Sequence, residues 1–489
     1  MKLSNLKLGD ILALLSGSIL PLAFAPYSIF PIAILSLVIL FLLWQNVTPQ
    51  RAWWRGFLYG VGMFGVGVSW VHISFYQFGG LPMIGAILLT LVFILVIAMY
   101  PAFLGWLLIR FFPKYNLLLL PAAWTLMEWL RGWLFTGFPW LSIGYSQIDS
   151  PLNNFAPLLG VYGVSWIVVF TAVLLVYIIN LKRRAILPVI ALVSLWTIGL
   201  LAEVEWTKSV DKPIKVALIQ GNIPQEFKWL SGFQLPSMLR YLELSQSQRD
   251  VDLIVWPETA IPLFYHEIPS YAPNFLEELQ REHLEHKTDF LIGVPVMNTD
   301  GTYYNTVMNF ADKPSFYYKN HLVPFGEYIP FQVIFGNFFK LLNIPMSEFS
   351  TGAAKQIPLT SAGHFIGISI CYEDAFGDLT RNSLPMAELL VNVSNDAWFG
   401  DSIAPHQHLE IARMRALETG RYLLRATNTG ISAVIDNKGK IIAQSPQFKI
   451  TSLRTEVQAY QGMTPYVQFG DNLIVIISLL MLTLSRFFQ

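Results

Sequence analysis

Apolar residues form long, nearly unbroken runs in the N-terminal part of the chain, and one further run closes its C-terminal end. About 20 apolar residues in a helix span the hydrocarbon core of a bilayer. The pattern therefore predicts a membrane all-α bundle of eight transmembrane helices. Their predicted ranges are 9–25, 28–45, 55–77, 83–109, 116–133, 158–181, 185–202 and 471–488.

Short runs rich in β-branched residues replace this pattern from Ile214 onward. With helical segments at 270–286 and 406–421 between some of them, they favour an α/β domain around a mostly buried sheet. The predicted strands are IKVALIQ (214–220), VDLIVWPE (251–258), DFLIGVPV (289–296), TVMNFA (306–311), FIGISICYE (365–373), ELLVNVS (388–394) and GISAVID (430–436), with a hairpin turn at 436–439. The predicted domains are the bundle at 1–206, the α/β domain at 207–470 and an eighth transmembrane helix at 471–489.

Composition agrees with a membrane protein, since 54% of the residues are hydrophobic and only 13% are charged, which is too apolar for an ordinary soluble domain. The formal net charge is zero and no Lys/Arg-rich run occurs, so we expect no nucleic-acid partner. The single cysteine cannot form an intrachain disulfide and leaves the redox compartment open.

Basic residues lie on one side of the predicted helices, and the opposite loops contain only Arg131. Because Lys and Arg gather in short cytoplasmic loops, both termini are predicted in the cytoplasm and the α/β domain outside it. The first helix resembles a secretory signal, but Asp10 interrupts it and a second apolar run follows, so we expect no cleavage. The basic residues are Lys2, Lys7, Arg51, Arg55, Arg110, Lys114, Lys182, Arg183, Arg184 and Arg486.

Two charged residues, Glu128 and Arg131, fall inside a predicted transmembrane helix. Their i, i+3 spacing places them on one helix face. We interpret them as a structural ion pair rather than as catalytic groups.

Three reactive residues follow apolar strands of the α/β domain. Glu258 follows DLIVWP, Lys319 follows SFYY and Cys371 follows FIGISI. Ligand clefts form at the carboxyl ends of strands in open α/β sheets, so we expect the three side chains to meet there. Glu258 can then act as general base, Lys319 can stabilise a thiolate or an oxyanion, and Cys371 can act as nucleophile. The backbone N–H of Tyr372 is expected to complete the oxyanion hole.

Each of these residues also has a structural interpretation: a buried inert cysteine, a solvated lysine and a carboxylate at a helix N-terminus. The polar residues that follow the cysteine, Tyr372, Glu373 and Asp374, favour the catalytic interpretation.

Longer motifs resemble the nitrilase, or carbon-nitrogen hydrolase, superfamily: WPET at 256–259, a lysine before a Gly-Glu loop, and ICYED at 370–374. The runs KNHLVPFGEYIP (319–330), SNDAWFG (394–400), RALETGRYLLRATNTG (415–430) and GFPWLSIGYSQ (137–147) resemble one branch, the apolipoprotein N-acyltransferases. The resemblance implies a nitrilase-like α-β-β-α sandwich and covers nearly the whole chain.

That resemblance implies transfer of an acyl chain from a phospholipid to the α-amino group of a diacylglyceryl lipoprotein, by a ping-pong route through a cysteine thioester. It implies a multi-pass protein of the bacterial inner membrane with its catalytic domain in the periplasm, working as a monomer without a cofactor. The implied catalytic residues are Glu258, Lys319 and Cys371, with support from Glu327, Tyr372 and Glu373 and substrate contacts from Trp229, Trp398 and Asn305.

Two apolar segments within the α/β domain, 229–236 and 331–342, are too hydrophobic for free surface loops. We interpret them as mobile arms that enter the lipid, with core packing as the alternative. His406 and His408 lack the further ligands of a zinc site, so no metal is predicted. No Walker-type loop suggests a nucleotide.

Two other functions remain open at this point. A membrane-anchored amidase, which hydrolyses instead of transferring, would use the same three residues. A transporter or scaffold with an inert domain would not need Cys371, but the predicted helices hold few of the ionisable residues that mark transport pathways.

Overall fold

The structure is a computed structural model. It describes residues 3–113, 116–311, 313–328 and 348–487. The predicted arm at 331–342 lies outside the described residues. The chain divides into two compact units: Met1–His72, Pro82–Glu205 and Gln468–Gln489 form the first, and Ile73–Leu81 and Trp206–Val467 form the second.

The first unit is helical, as the long apolar runs predict. Polar and proline residues interrupt these runs and set the helix ends, for example at Pro31 and Pro49, which begin two of the helices. The helices are α1 (Leu3–Ile19), α2 (Pro31–Leu43), α3 (Pro49–Gly67), α4 (Val71–Gln77), α5 (Met83–Ile97), α6 (Met99–Phe111), α7 (Asn116–Arg131), α8 (Ala156–Leu181) and α9 (Ile186–Leu201), followed at the C-terminal end by Asn472–Phe487.

The helices of the first unit differ in whether they are long enough to cross a membrane. Among the described residues, Met83–Phe111 and Pro151–Arg184 are long and apolar enough to cross a membrane, and the bent pair α3 and α4 makes a third if it counts as one span. The 13 residues of α2 rise only about 20 Å, which is less than the roughly 30 Å of the hydrocarbon core. The eight-helix membrane bundle therefore stays a prediction.

Glu128 and Arg131 are both buried within the first unit. The indole N–H of Trp124 and the backbone N–H of Ile143 each donate to Glu128 Oε1 over 2.9 Å. Arg131 donates to the carbonyl of Phe138 over 2.8 Å. The two side chains thus bind the backbone of the loop that follows α7, which is a structural role.

Two six-stranded sheets form the second unit, in the orders β12-β1-β2-β3-β4-β5 and β11-β10-β9-β8-β7-β6. In each sheet the central strands, β1 to β3 and β7 to β9, run parallel, and the outer strands are antiparallel. The strands are β1 (Thr207–Gln220), β2 (Leu253–Val255), β3 (Asp289–Met297), β4 (Tyr303–Phe310), β5 (Ser315–Tyr318), β6 (Leu359–Ser361), β7 (His364–Ile370), β8 (Leu389–Ser394), β9 (Leu423–Thr427), β10 (Ala433–Ile435), β11 (Ile441–Gln444) and β12 (Thr451–Gly462).

Alternation along the strands explains the layering of the second unit. In β1, Val216 and Leu218 join the core between the two sheets, whereas Ala217 and Ile219 join a core beneath helices. Successive side chains of a strand point to opposite faces, so both faces of each sheet are covered. The α/β domain is therefore an α-β-β-α sandwich, as the resemblance to nitrilases implies.

Helices cover the outer faces of both sheets in the second unit. The predicted helical segments at 270–286 and 406–421 are confirmed as the helices Phe275–His286 and Ala404–Thr419. The helices are α10 (Gln225–Lys228), α11 (Ser231–Gln246), α12 (Ile268–Tyr271), α13 (Phe275–His286), α14 (Gly377–Arg381), α15 (Ala404–Thr419) and α16 (Pro465–Phe469).

The sequence analysis misses three strands, β6, β9 and β12. β12 pairs with β1 along nearly its whole length, but its sequence, TSLRTEVQAYQG, has no apolar run because much of the strand is partly exposed. β9 is buried throughout, but Arg425 at its centre interrupts the apolar run that would predict a strand.

The stretch predicted as one transmembrane helix at 55–77 contains a break. The structure ends α3 at Gly67 and begins α4 at Val71, with a bend of 56°, and residues Ile73–Leu81 belong to the second unit. There the Ser74 hydroxyl donates to the Trp398 carbonyl over 2.7 Å, and the Phe78 ring meets the Trp398 ring edge-on at 4.9 Å.

Candidate active site

The three predicted reactive residues all lie at strand ends in the second unit. Lys319 directly follows β5, Cys371 directly follows β7, and Glu258 lies three residues beyond β2. β2 and β5 belong to one sheet and β7 to the other. All three residues are buried, with 1%, 8% and 7% of their surfaces exposed. Burial strengthens the interactions between their charges.

Lys319 lies between two carboxylates. Its ammonium is 2.9 Å from Glu327 Oε1 and 3.3 Å from Glu258 Oε1. Asn305 donates from Nδ2 to the same two oxygens, over 2.8 Å to Glu258 and 3.1 Å to Glu327. Burial lowers the pKa of Lys319, but Glu327 and Glu258 outweigh it and raise that pKa above its ordinary value. The lysine therefore stays charged.

Cys371 begins a short 3-10 turn at the end of β7, with a positive φ of 52°. Burial and the nearby charge of Glu258 raise the pKa of its thiol far above the ordinary value, against the opposing charge of Lys319. The side chain of Ser394, at the end of β8, also lowers this pKa. The resting cysteine is therefore a protonated thiol, and the charges of Glu258 and Lys319 shift its pKa in opposite directions.

Glu373 connects the cysteine turn to the loop after β5. Its carboxylate accepts from the backbone N–H groups of Ile370, Asn320 and His321 over 2.7 to 3.0 Å, and from the Tyr317 hydroxyl. Burial raises the pKa of Glu373 to about 7. These bonds fix the position of Lys319, which lies between Tyr317 and Asn320 in the chain.

Tyr372 is half-buried, and its ring packs against neighbouring aromatic side chains. Its centroid lies 5.9 Å from that of His321 and 5.1 Å from that of Phe376. The side chain therefore points into an aromatic cluster, whereas its backbone N–H belongs to the peptide that follows Cys371.

A second lysine near this centre was missed by the sequence analysis. Lys228 is 3% exposed and donates from Nζ to the carbonyl of Glu258 over 3.1 Å. Burial lowers its pKa to about 8, although the charges of Glu258 and Cys371 raise it. Its polar surroundings in NIPQEFKW are typical of a solvated lysine, so no pattern in the sequence could have indicated burial.

Of the three residues with predicted substrate contacts, the structure brings one into contact with the triad. Asn305 bridges Glu258 and Glu327, as described above. Trp398 instead contacts Phe78 and Ser74. Trp229 directly follows α10 and is half-buried. Among the described residues, no group of His, Cys, Asp or Glu side chains is arranged to hold a metal ion.

Gly293 of β3 supports the turn that carries Glu258. A Cβ atom at this position would collide with the Pro257 carbonyl and lie 2.5 Å from the Thr259 nitrogen. We expect Gly293→Ala to lower the free energy of unfolding by about 1–3 kcal/mol, as overpacking does, and to displace the glutamate. Denaturant unfolding measures the first effect.

Gly232→Ala is the matched control, since nothing lies within 4 Å of a Cβ atom there. Equal stability of the Gly293 and Gly232 variants would show that the Glu258 turn tolerates a side chain beneath it.

Two family models match this chain. Residues 16–174 match the family model of the apolipoprotein N-acyltransferase N-terminal domain, and residues 215–465 match that of carbon-nitrogen hydrolases. Among solved structures, a nitrilase-superfamily protein of Saccharomyces cerevisiae aligns with a TM-score of 0.40 and 20% identity, covering 52% of this chain and 93% of that one.

Curated relatives match both parts of the chain together. An apolipoprotein N-acyltransferase of Methylococcus capsulatus is 44% identical, covering 94% of this chain and 92% of its own length. One of Nitrosomonas europaea is also 44% identical, covering 94% and 93%. With identity at this level over almost its full length, the chain belongs to the apolipoprotein N-acyltransferase family.

Proposed function

We propose that this protein transfers an acyl chain from a phospholipid to the α-amino group of an apolipoprotein's diacylglyceryl cysteine, through a thioester on Cys371. Lipoprotein N-acylation is the activity that names its family. One observation carries the proposed route: a carboxylate and an ammonium, those of Glu258 and Lys319, lie 3.3 Å apart in a buried centre, and the charges of both shift the pKa of the buried Cys371 thiol.

In the first half-reaction, Glu258 accepts the thiol proton and the sulfur attacks the ester carbonyl carbon of the phospholipid. The carbonyl oxygen becomes negative beside the Lys319 ammonium and the backbone N–H of Tyr372. Collapse of this adduct breaks the ester carbon–oxygen bond. The leaving alcohol takes the proton from Glu258, and an acyl thioester remains on Cys371.

In the second half-reaction, the neutral α-amino group of the acceptor attacks the thioester carbon and gives a proton to Glu258. When the carbon–sulfur bond breaks, the thiolate takes that proton back and the amide is released. Thioesters react readily with amines, so the route divides a difficult ester-to-amide exchange into two easier steps.

The raised pKa of Cys371 explains why this route needs a base. Burial and the charge of Glu258 favour the protonated thiol, and a thiol is a poor nucleophile compared with its thiolate. Transfer of the proton to Glu258 removes the negative charge that opposes thiolate formation, while Lys319 stays positive. Deprotonation and charge stabilisation are therefore coupled in one step.

The proposed location is the bacterial inner membrane, with the α/β domain in the periplasm. The curated relatives are bacterial proteins, and apolar helices make up the first unit. The one-sided distribution of Lys and Arg supports the orientation. Eight transmembrane helices and a monomeric state are part of the same proposal.

An exposed apolar patch supports access to lipid. We define the apolar arm as residues 227–239, which include the predicted segment 229–236. Phe227, Leu230, Phe233 and Leu239 are between 39% and 51% exposed, and the rings of Phe227 and Phe233 stack at 4.8 Å. Exposed apolar clusters of this kind mark interaction surfaces. A lipid bilayer is a suitable partner for this cluster, because its exposed side chains are aliphatic and aromatic.

Replacing Leu230 and Phe233 together by serine is expected to reduce acyl transfer from bilayer vesicles about 10- to 100-fold. Each side chain is about half exposed, so its transfer into lipid contributes about half of the roughly 1.5–3 kcal/mol that full burial gives. Transfer from a detergent-dispersed short-chain ester should change little. The matched control is Ile442→Ser, at a 45% exposed position on the edge strand β11. Equal losses with both donors would exclude the arm as a lipid-binding element.

Hydrolysis is the alternative function, since an amidase would use the same carboxylate, ammonium and thiol. An acyl donor labelled in its chain separates the two: transfer yields labelled N-acyl peptide, whereas hydrolysis yields labelled free fatty acid even when the peptide is present. Membership in the family and the apolar arm both favour transfer.

A further inference from the structure

Four charged side chains lie buried behind Cys371, and the mechanism above uses none of them. They are Asp374, Asp396, His408 and Arg425, and each is at most 1% exposed. They come from the turn after β7, the turn after β8, helix α15 and strand β9. Buried charges are costly unless they are paired, so their partners indicate what the cluster does.

His408 contacts the nucleophile's own peptide group. Its Nε2 lies 2.8 Å from Asp374 Oδ1 and 3.2 Å from the carbonyl oxygen of Cys371. A carboxylate and a carbonyl can only accept hydrogen bonds, so Nε2 must carry a proton and donate. Its Nδ1 lies 2.9 Å from Asp396 Oδ1.

Arg425 bridges the same two carboxylates and fixes them in place. It is 3.1 Å from Asp374 Oδ2 and 3.0 Å from Asp396 Oδ2, and it also lies 2.8 Å from His408 Nδ1. Burial and the arginine charge lower the pKa of His408, but Asp374 and Asp396 outweigh them and raise it to about 9. The raised pKa favours the charged imidazole. Nδ1 lies between a donor, Arg425, and an acceptor, Asp396, whereas Nε2 faces two acceptors and therefore donates whether or not Nδ1 also carries a proton.

A second donor reaches the same carbonyl. Asn392 of β8 donates to the Cys371 carbonyl over 3.3 Å and accepts from Arg425 over 2.6 Å. Cys371 itself has a positive φ of 52°. A non-glycine residue in this region costs about 1 kcal/mol or more, and the conformation persists only where the surroundings hold it. The two donors supply that restraint.

The planar peptide bond transmits the restraint to the reaction. In a trans peptide the C=O and the N–H point in opposite directions within one plane. The carbonyl of Cys371 and the N–H of Tyr372 belong to the same peptide group. The hydrogen bonds from His408 and Asn392 hold the Cys371 carbonyl on their side of the peptide plane, so the N–H of Tyr372 points in the opposite direction.

We propose that His408 is a positioning residue of the oxyanion hole: by donating from Nε2 to the Cys371 carbonyl, it aims the backbone N–H of Tyr372 at the acyl oxygen. This inference rests on the proposed function, because it assumes that an oxyanion forms on a group bound to Cys371. Asp374, Asp396 and Arg425 act indirectly, because they orient the imidazole of His408.

A pair of amide substitutions tests this role. Glutamine carries its amide nitrogen near the position of histidine Nε2, and asparagine carries it near Nδ1, so only His408→Gln can keep the donor to Cys371. For His408→Asn we expect a single-turnover rate of thioester formation about 100-fold lower, as when one oxyanion donor is lost. The phospholipid concentration for half-saturation should not change. His408→Gln should recover most of the rate, and His406→Gln on the same helix is the control.

Alkylation of Cys371 by iodoacetamide separates positioning from general damage, because displacement of iodide at a saturated carbon forms no oxyanion. We expect His408→Asn to alkylate at the wild-type rate while its acylation falls. Parallel loss of both reactions, or an equal loss in the Gln and Asn variants, would overturn the proposal. If His408→Asn does not fold, His408→Gln alone decides the question. A folded His408→Gln that has lost acylation overturns the proposal, and one that retains acylation supports it. Wild-type protein that alkylates but never acylates would instead refute the proposed function.

Discussion

Replacing Cys371 by serine is expected to abolish acyl transfer, with a loss of at least about 10⁴-fold. A serine hydroxyl is far less acidic than a thiol, and the surroundings that already raise the pKa of Cys371 would raise that of a hydroxyl further. Because the chain contains one cysteine, the variant should also lose all iodoacetamide labelling. N-acylated peptide, measured by mass spectrometry, is the readout.

The unfolding transition of the serine variant provides the control, since the exchange of sulfur for oxygen is nearly isosteric. A folded variant that retains transfer within tenfold of the wild type would remove the thioester from the mechanism. It would also revive the interpretation of the domain as inert, under which Cys371 has no catalytic task.

Replacing Glu258 by glutamine is expected to slow thioester formation by about 10²- to 10⁴-fold, the usual contribution of a general base. Glutamine keeps an oxygen for the hydrogen bonds from Asn305 and Lys319, so the geometry should survive while the proton acceptor is lost. The remaining rate should rise with pH. The pKa of Cys371 is raised, so thiolate is scarce at neutral pH and forms without a base only as the pH increases.

Glu278→Gln serves as the surface control, because that carboxylate pairs with Arg281 at a partly exposed position of α13. A Glu258→Gln variant that forms thioester at the wild-type rate, with the same pH dependence, would assign the base to another residue.

The charges of the site explain how it remains stable when buried. Lys319 lies between Glu258 and Glu327, and Lys228 donates to the backbone of Glu258 from the other side. Removing one member of such a group leaves an uncompensated buried charge, which is commonly worth 3–5 kcal/mol. Substitutions that keep the hydrogen bonds, such as Glu258→Gln, are therefore more informative than truncations.

The sequence predicts this site because reactive residues directly follow apolar runs that are typical of buried strands. Glu258 and Cys371 each follow an apolar run that is confirmed as a strand. The two strands lie in different sheets, so the sequence places each residue at a strand end but does not predict that the two sheets pack together. Lys228 and His408 could not be predicted in this way. Lys228 lies in a short helix and His408 on a long one, and both reach the site only because separate elements pack around it. Periodicity identifies which face of an element is buried but not which element covers it.

The same distinction explains the errors in the fold. Hydropathy identifies apolar stretches correctly, but it does not register the bend between Gly67 and Val71 that separates α3 from α4. Strand β12 is partly exposed along its length and depends on pairing with β1. Long-range pairing of this kind leaves little signal in a local window.

Mass spectrometry of the protein after incubation with phospholipid, without any acceptor peptide, tests the central claim most directly. The account predicts an acyl adduct on the peptide that contains Cys371, its disappearance when acceptor is added, and an adduct that forms about 10²- to 10⁴-fold more slowly in Glu258→Gln. An enzyme that N-acylates peptide efficiently while its cysteine peptide never gains mass, or gains it equally without Glu258, would contradict the account.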